Sequence, residues 1–258
     1  MTVDRSFSGK GVLITGGTSG IGLACARRFA GAGARVAVTY HSDSVVAERV
    51  ANELGGPDRV MTIRSDASQY ADAARAVDQV ADWGSIDVLI NNAGGVIRRT
   101  PALQLEPDLW HQVMALNVDS AYYFTRLVLP QMLERGSGAI VFVSAYAASN
   151  GGSGNGSIPY GVAKAGVEAM TTGLARDLAR TGVRVNAVRA GLVDTPLHDA
   201  TELDAVYGAK EDFLLRMSKL TPIGRAADAG EIAECILFLA SDQASYVTGA
   251  ILSATGGM

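Results

Sequence analysis

Short, unbroken apolar runs alternate along this chain with longer stretches in which apolar residues recur every three or four positions. Residues 12–14, 36–39, 60–64, 88–90, 140–143 and 183–188 read as strands buried on both faces, and a last short strand is expected near 250–253. Helical patterns cover 23–32, 45–54, 71–83, 107–135 (as one helix or two), 159–181 and 228–239. Gly31 and Gly33 end the first, Gly55-Gly56-Pro57 the second and Gly84 the third, while Pro107 suits a first helical turn. This alternation predicts an α/β fold: a parallel sheet with helices on both faces and right-handed crossovers. No repeat, linker or break in composition interrupts it, so 1–258 is read as one domain. Two stretches fall outside the pattern. Residues 150–157 are glycine-rich, and 191–219 form an irregular insert with its own short helix, the kind of segment that serves as a lid.

Between the first strand and the first helix lies the turn Thr15-Gly16-Gly17-Thr18-Ser19-Gly20-Ile21-Gly22. Glycines there let backbone N–H groups approach a diphosphate, and the helix N-terminus adds partial positive charge. No Gly-Lys-Ser/Thr is present, which argues against a triphosphate-cleaving loop. The spacing also departs from Gly-x-Gly-x-x-Gly, so the glycines alone fit a tight turn without a ligand as well. The flanking strand and helix favour a dinucleotide.

Composition narrows the partners. Of 258 residues 48% are hydrophobic and 19% charged, the profile of a soluble chain with a substantial core. The balance of 22 basic and 26 acidic residues argues against nucleic acid or an anionic membrane as the main partner. No signal-peptide pattern and no membrane-length apolar run is visible, so the expected compartment is the cytoplasm. Cys25 and Cys235 sit in helical patterns and read as small buried hydrophobes. No metal site is expected.

Tyr160 and Lys164 lie four apart at the start of a helix, on one face. A tyrosine with its ordinary pKa of about 10 transfers protons poorly near neutrality, and an ammonium one turn away favours the phenolate. Such a pair is common by chance. Here it follows a strand that should end on the same side of the sheet as the glycine turn, where open α/β sheets bind ligands.

Four motifs now stand in order: Thr15-Gly16-x-x-x-Gly20-x-Gly22, Asn91-Asn92-Ala93-Gly94, Asn117 within Leu116-Asn117-Val118, and Tyr160-x-x-x-Lys164. With a tail running from Pro222-Ile-Gly-Arg225 to Tyr246-Val-Thr-Gly249, the chain resembles the short-chain dehydrogenase/reductase family over nearly its whole length. The resemblance implies a single-domain Rossmann-type, three-layer fold with about seven strands, a nicotinamide cofactor, a homotetramer, and hydride transfer between that cofactor and a small carbonyl or alcohol. Tyr160 would be the general acid or base. Lys164 would lower its pKa and hold the nicotinamide ribose, and Asn117 would bind a relay water. Read alone, Asn117 could equally bond only to helix backbone. Gly16, Thr18, Ser19, Gly20, Ile21 and Gly22 would pack on the diphosphate and ribose. Asp66 and Ala67 would lie at the adenine, Asn92, Ala93 and Gly94 along the cofactor, and Val193 and Thr195 at the carboxamide. The nearest activities are 3-oxoacyl-carrier-protein reductases and sugar or alcohol dehydrogenases.

The chain also departs from the family. Alignment of 138–145 puts Ala145 where the family carries a serine that holds the substrate oxygen, with Ser144 one residue earlier and facing the opposite side of a regular strand. Ser144 is expected to supply the donor if the strand ends early or bulges; Ser153 or Ser157 from the unusually long following loop are the alternatives. If none does, a cofactor-binding protein with weak or no turnover results. At the end of the second strand stand Tyr40, His41 and Ser42, with no carboxylate to bind an adenosine ribose, which favours NADP(H) over NAD(H). Ser19 stands where many NADP-dependent relatives carry a basic residue. Arg98-Arg99 could meet an anionic, carrier-linked substrate or form a solvated loop. Substrate contacts are expected from 97–105 and 195–219.

Overall fold

The computed structural model describes residues 7–152, 156–196 and 210–258. Seven strands form one parallel sheet: β1 (Gly11–Ile14), β2 (Arg35–Tyr40), β3 (Val60–Arg64), β4 (Val88–Asn91), β5 (Gly138–Ala145), β6 (Val183–Ala190) and β7 (Ile251–Ala254), in the spatial order β3-β2-β1-β4-β5-β6-β7. The order reverses between β1 and β4, which pair from Val12↔Val88 to Ile14↔Ile90. A crevice therefore opens past their carboxyl ends.

Every side chain of β1 is buried, as a strand covered on both faces requires. Alternation along β5 sends Val141 and Val143 into one apolar layer, with Phe29 and Ile236, and Ile140 and Phe142 into the other, with Phe124 and Val167. Helices α1 (Gly20–Gly31) and α9 (Ala229–Ala240) build the first layer; α3 (Tyr70–Trp83), α5 (Ser120–Arg135) and α7 (Ile158–Asp177) build the second. The helix α2 (Ser44–Glu53) links β2 to β3. Residues 107–135, where one helix or two were expected, form α4 (Pro107–Met114) and α5 joined by a π-helical turn at Ala115–Asp119.

Boundaries shift where backbone chemistry overrides apolar spacing. Helix α1 starts three residues before the apolar pattern, because the backbone closes into a helix right after Ser19. Strand β5 runs to Ala145, paired with Ala190. A one-turn helix, α6 (Ala147–Asn150), and a longer one, α8 (Lys210–Leu220), complete the set; α8 lays Phe213 on Leu192 and Met258. The expected lid segment falls partly outside the described residues, as does Ser153.

One buried bond fixes the end of β4. Asn91 Nδ2 donates to Thr125 Oγ1 of α5 at 3.0 Å, with both residues buried. Thr125→Val keeps the shape and strands a buried amide donor, so thermal unfolding should reveal a loss of about 1–3 kcal/mol. Thr125→Ser should stay close to wild type; equal melting curves for all three proteins would show that this bond does not hold β4.

Candidate active site

The glycine turn is shaped by contacts that leave no room for side chains. Gly16 and Gly20 have φ of +64° and +50°, and a Cβ on Gly22 would lie 2.2 Å from the Gly16 carbonyl oxygen. Thr15 Oγ1 accepts from the N–H groups of Asn92 (3.0 Å) and Ala93 (2.9 Å), and Asn92 Nδ2 donates back to the carbonyls of Thr15 and Gly16, both at 3.0 Å. The Asn92 amide therefore ties the end of β4 to the turn. Ser19, the N-cap of α1, makes no side-chain capping bond and stands exposed on the cavity wall. Bare backbone, a helix N-terminus and an unengaged hydroxyl together fit the diphosphate of a dinucleotide.

From this turn a cavity of about 970 Å³ runs across the carboxyl ends of the strands. Gly16, Ser19, Gly20, Ile21, Asn92, Ala93, Gly94, Ser144, Tyr160, Lys164, Val193 and Thr195 line it. Gly22 sits beneath the turn and Asn117 behind Gly94. Thr18, Tyr40, His41, Ser42, Asp66 and Ala67 are not in its wall; Thr18 lies within the glycine turn, Tyr40 ends β2 with His41 and Ser42 just after it, and Asp66 and Ala67 follow β3. Asp66 Oδ1 accepts from the N–H and hydroxyl of Ser68, and Ala67 is buried in the core.

Tyr160, Lys164 and Glu168 follow one another at one-turn intervals on α7. Lys164 is 4% exposed; its Nζ donates to the Val143 carbonyl at 2.8 Å and lies 5.6 Å from the Tyr160 ring centre. A Cβ on Gly94 would sit 2.5 Å from Asn117 Oδ1 and 3.1 Å from Lys164 Nζ, so both atoms converge on one glycine. Asn117 occupies the π-helical turn. Its Nδ2 donates to the carbonyls of Gly95 and Val113, and its Oδ1 accepts from Gly95 N–H. Both amide hydrogens are engaged, so the Asn117 side chain can only accept a further hydrogen bond.

Burial pushes the Tyr160 hydroxyl up to about 12, against a smaller downward pull from the charge of Arg99. Burial draws Lys164 down to about 8. Desolvation disfavours the charged form of each.

Ser144 requires a correction to the sequence reading. Strand β5 stays regular through Ala145, so the Ser144 hydroxyl turns towards α7 and donates to Glu168 Oε1 at 2.8 Å. Glu168 also receives Arg189 Nε at 2.8 Å and Nη2 at 2.6 Å. A hydroxyl has one hydrogen, and this one is given to a carboxylate. Ser144 thus clamps α7 to β5 and β6, while Ala145 presents only a methyl to the cavity.

One residue escaped the reading of the site, whereas Arg99, expected as a carrier contact or solvated loop within the 97–105 substrate segment, lines the cavity. Arg64 at the end of β3 pairs across from Tyr40, and its Nε donates to the His41 carbonyl at 3.3 Å. Strand register, which apolar spacing does not reveal, brings it there. Among the described residues no group of three or more His, Cys, Asp or Glu could hold a metal, and no helix is long and apolar enough to cross a membrane.

Residues 16–258 match the family model described as Enoyl-(Acyl carrier protein) reductase. The chain is 37% identical to the cis-4-hydroxycyclohexanecarboxylate dehydrogenase of Sinomonas cyclohexanicum, over 98% of each chain. It is 35% identical to the 3-oxoacyl-(acyl-carrier-protein) reductase of Thermotoga maritima, again over 98% of each. A solved short-chain dehydrogenase/reductase from Caenorhabditis elegans, crystallised with cofactor, superposes with a TM-score of 0.90 at 32% identity, covering 98% of this chain and 96% of that one.

The buried ammonium has a measurable cost. Lys164 titrates near 8 when folded against 10.5 for the ordinary lysine, so the folded state binds fewer protons between those values and stability rises with pH across that window. Lys164→Met should therefore melt higher than wild type below pH 8, by roughly 3 kcal/mol at most, and the gain should shrink as pH rises towards 10. A gain independent of pH would mean that the ammonium is not what is disfavoured.

Proposed function

The chain belongs to the short-chain dehydrogenase/reductase family, and from that premise we propose that it moves a hydride between NADP(H), in preference to NAD(H), and a small ketone or secondary alcohol, with Tyr160 as general acid and base. The observation that carries this reading is the Tyr160–Lys164 pair on one face of α7, inside a cavity continuous with the glycine turn.

A bound nicotinamide dinucleotide supplies or accepts the hydride. Gly16, Gly20, Ile21, Gly22 and Ser19 would hold its diphosphate, Asn92, Ala93 and Gly94 its length, and Val193 and Thr195 its carboxamide. In reduction the Tyr160 hydroxyl gives its proton to the carbonyl oxygen as negative charge builds there. In oxidation the phenolate takes the alcohol proton. Lys164 stabilises that phenolate, and a water on Asn117 would restore the proton. Burial raises the Tyr160 hydroxyl above its ordinary value, against the lowering expected from Lys164.

The Thermotoga maritima relative supports a 3-oxoacyl thioester as substrate. The Sinomonas cyclohexanicum relative supports the second reading, an alcohol dehydrogenase. The Ala145 methyl favours a third, a cofactor-binding protein of weak turnover. A homotetramer is the assembly the family implies, and Tyr122, Leu133, Val162 and Phe238, exposed on helix faces, would be covered by it.

The test follows NADPH and NADH absorbance with ketones, diketones and 3-oxoacyl thioesters. Wild type should turn over, and Tyr160→Phe should lose about 10²-fold or more in kcat while binding NADPH normally. Tight cofactor binding with no turnover would move the binding-protein reading ahead.

Cofactor preference rests on the absence of a carboxylate at Tyr40, on Asp43 being engaged as the N-cap of α2 (Val46 N–H to Oδ1, 2.9 Å), and on Arg64 lying beside Tyr40. Arg64→Glu should raise the Kd for NADPH about tenfold and leave NADH within twofold, by fluorescence titration. Equal effects on both cofactors would remove Arg64 from that role.

A further inference from the structure

Two residues near Tyr160 have no place in the mechanism above. The chain bends sharply at Ile97, whose φ of +63° is the one positive value among described non-glycine residues, and Arg98 N–H donates to the Val96 carbonyl at 2.8 Å across it. A β-branched side chain is strained in that region. Just beyond the bend, Thr100 N–H donates to the Gly156 carbonyl at 2.9 Å, and a Cβ on Gly156 would lie 2.6 Å from the Thr100 nitrogen. The two loops are thus locked together, and Arg99 Nη1 donates to Ser157 Oγ at 2.6 Å.

Ser157 is 4% exposed and lines the cavity. It stands at the N-cap of α7, where a serine ordinarily accepts from a helix N–H, yet its side chain makes no capping bond. Its oxygen accepts from Arg99 instead, which leaves the hydroxyl hydrogen to be donated. Ser157 and Tyr160 are three residues apart at the start of α7 and line the same cavity. Arg99 and Lys164 line the cavity as well.

Resting on the hydride-transfer reading, we propose that Ser157, polarised by Arg99, donates to the substrate oxygen beside Tyr160, in place of the serine that Ala145 lacks. In reduction the carbonyl oxygen accepts the Ser157 hydrogen bond, gains charge as its π bond opens to the hydride, and takes the Tyr160 proton; Ser157 keeps its own. Arg99 acts through Ser157 and is a positioning residue. Its charge also favours the Tyr160 phenolate.

Steady-state kinetics on wild type, Ser157→Ala, Arg99→Met, Arg99→Lys and the double variant Ser157→Ala/Ala145→Ser test this. NADPH affinity by fluorescence and NMR titration of ¹³C-labelled tyrosine in the cofactor-free proteins are read alongside. Ser157→Ala should lower kcat about 10²-fold with NADPH affinity within twofold, and Ala145→Ser should return at least tenfold of that loss. Arg99→Met should lower kcat and move the Tyr160 titration to higher pH, and Arg99→Lys should bring that titration back. Wild-type kcat in Ser157→Ala, or a loss matched by weakened NADPH binding and not repaired by Ala145→Ser, overturns the proposal. If wild type turns over and Tyr160→Phe does not, that failure belongs to Ser157 alone. If wild type moves no hydride on any carbonyl, the hydride-transfer reading falls and the proposal with it.

Discussion

A lysine ammonium buried under the floor of the cavity is the constraint on which the rest of the site depends. An isolated buried charge is disfavoured by several kcal/mol, so the fold must bring a polar partner to it. The Val143 carbonyl near the end of β5 does so at 2.8 Å, and Gly94 lets Lys164 Nζ and Asn117 Oδ1 approach the same backbone position. Helix α7 is held to that geometry one turn further on, where Glu168 takes two bonds from Arg189 of β6 and one from Ser144 of β5. Clamp and ammonium share a helix face, so Tyr160 is positioned by bonds made one and two turns away from it.

The opposite wall depends on close backbone approach. Four bonds join Thr15-Gly16 to Asn92-Ala93 across the point where strand order reverses, and Gly22 packs against the Gly16 carbonyl where any side chain would collide. Both walls stand at the carboxyl ends of neighbouring parallel strands. The cavity between them follows from the topology, with side chains setting its chemistry.

Much of this was legible in the chain. All seven strands lie within two residues of the expected apolar runs at each end, and β3 begins and ends where the pattern does, at Val60 and Arg64. Tyr160, Lys164 and the glycine turn stood out because their spacing matches a helix face and a strand-to-helix turn. Ser144 was not legible in the same way. Whether it or Ala145 meets the cavity depends on whether β5 continues regularly, and its eight-residue pairing with β6, which keeps the strand regular to Ala145, is a long-range fact. Arg99 was legible as a candidate substrate contact but its bond to Ser157 was not, because a tight turn at an isoleucine with positive φ has no local sequence signature.

The sequence by itself determined the α/β alternation, the dinucleotide turn and the Tyr160–Lys164 pair, because each is written in residues a few positions apart and obeys a helical or strand period. Only the tertiary structure decided which hydroxyl faces the cavity and which cations surround it. Strand register placed Arg64 beside Tyr40, the Glu168 carboxylate claimed Ser144, and the contact of two loops 58 residues apart brought Arg99 to Ser157. These are pairings between distant segments, fixed by packing and hydrogen-bond satisfaction in three dimensions, and no local period encodes them.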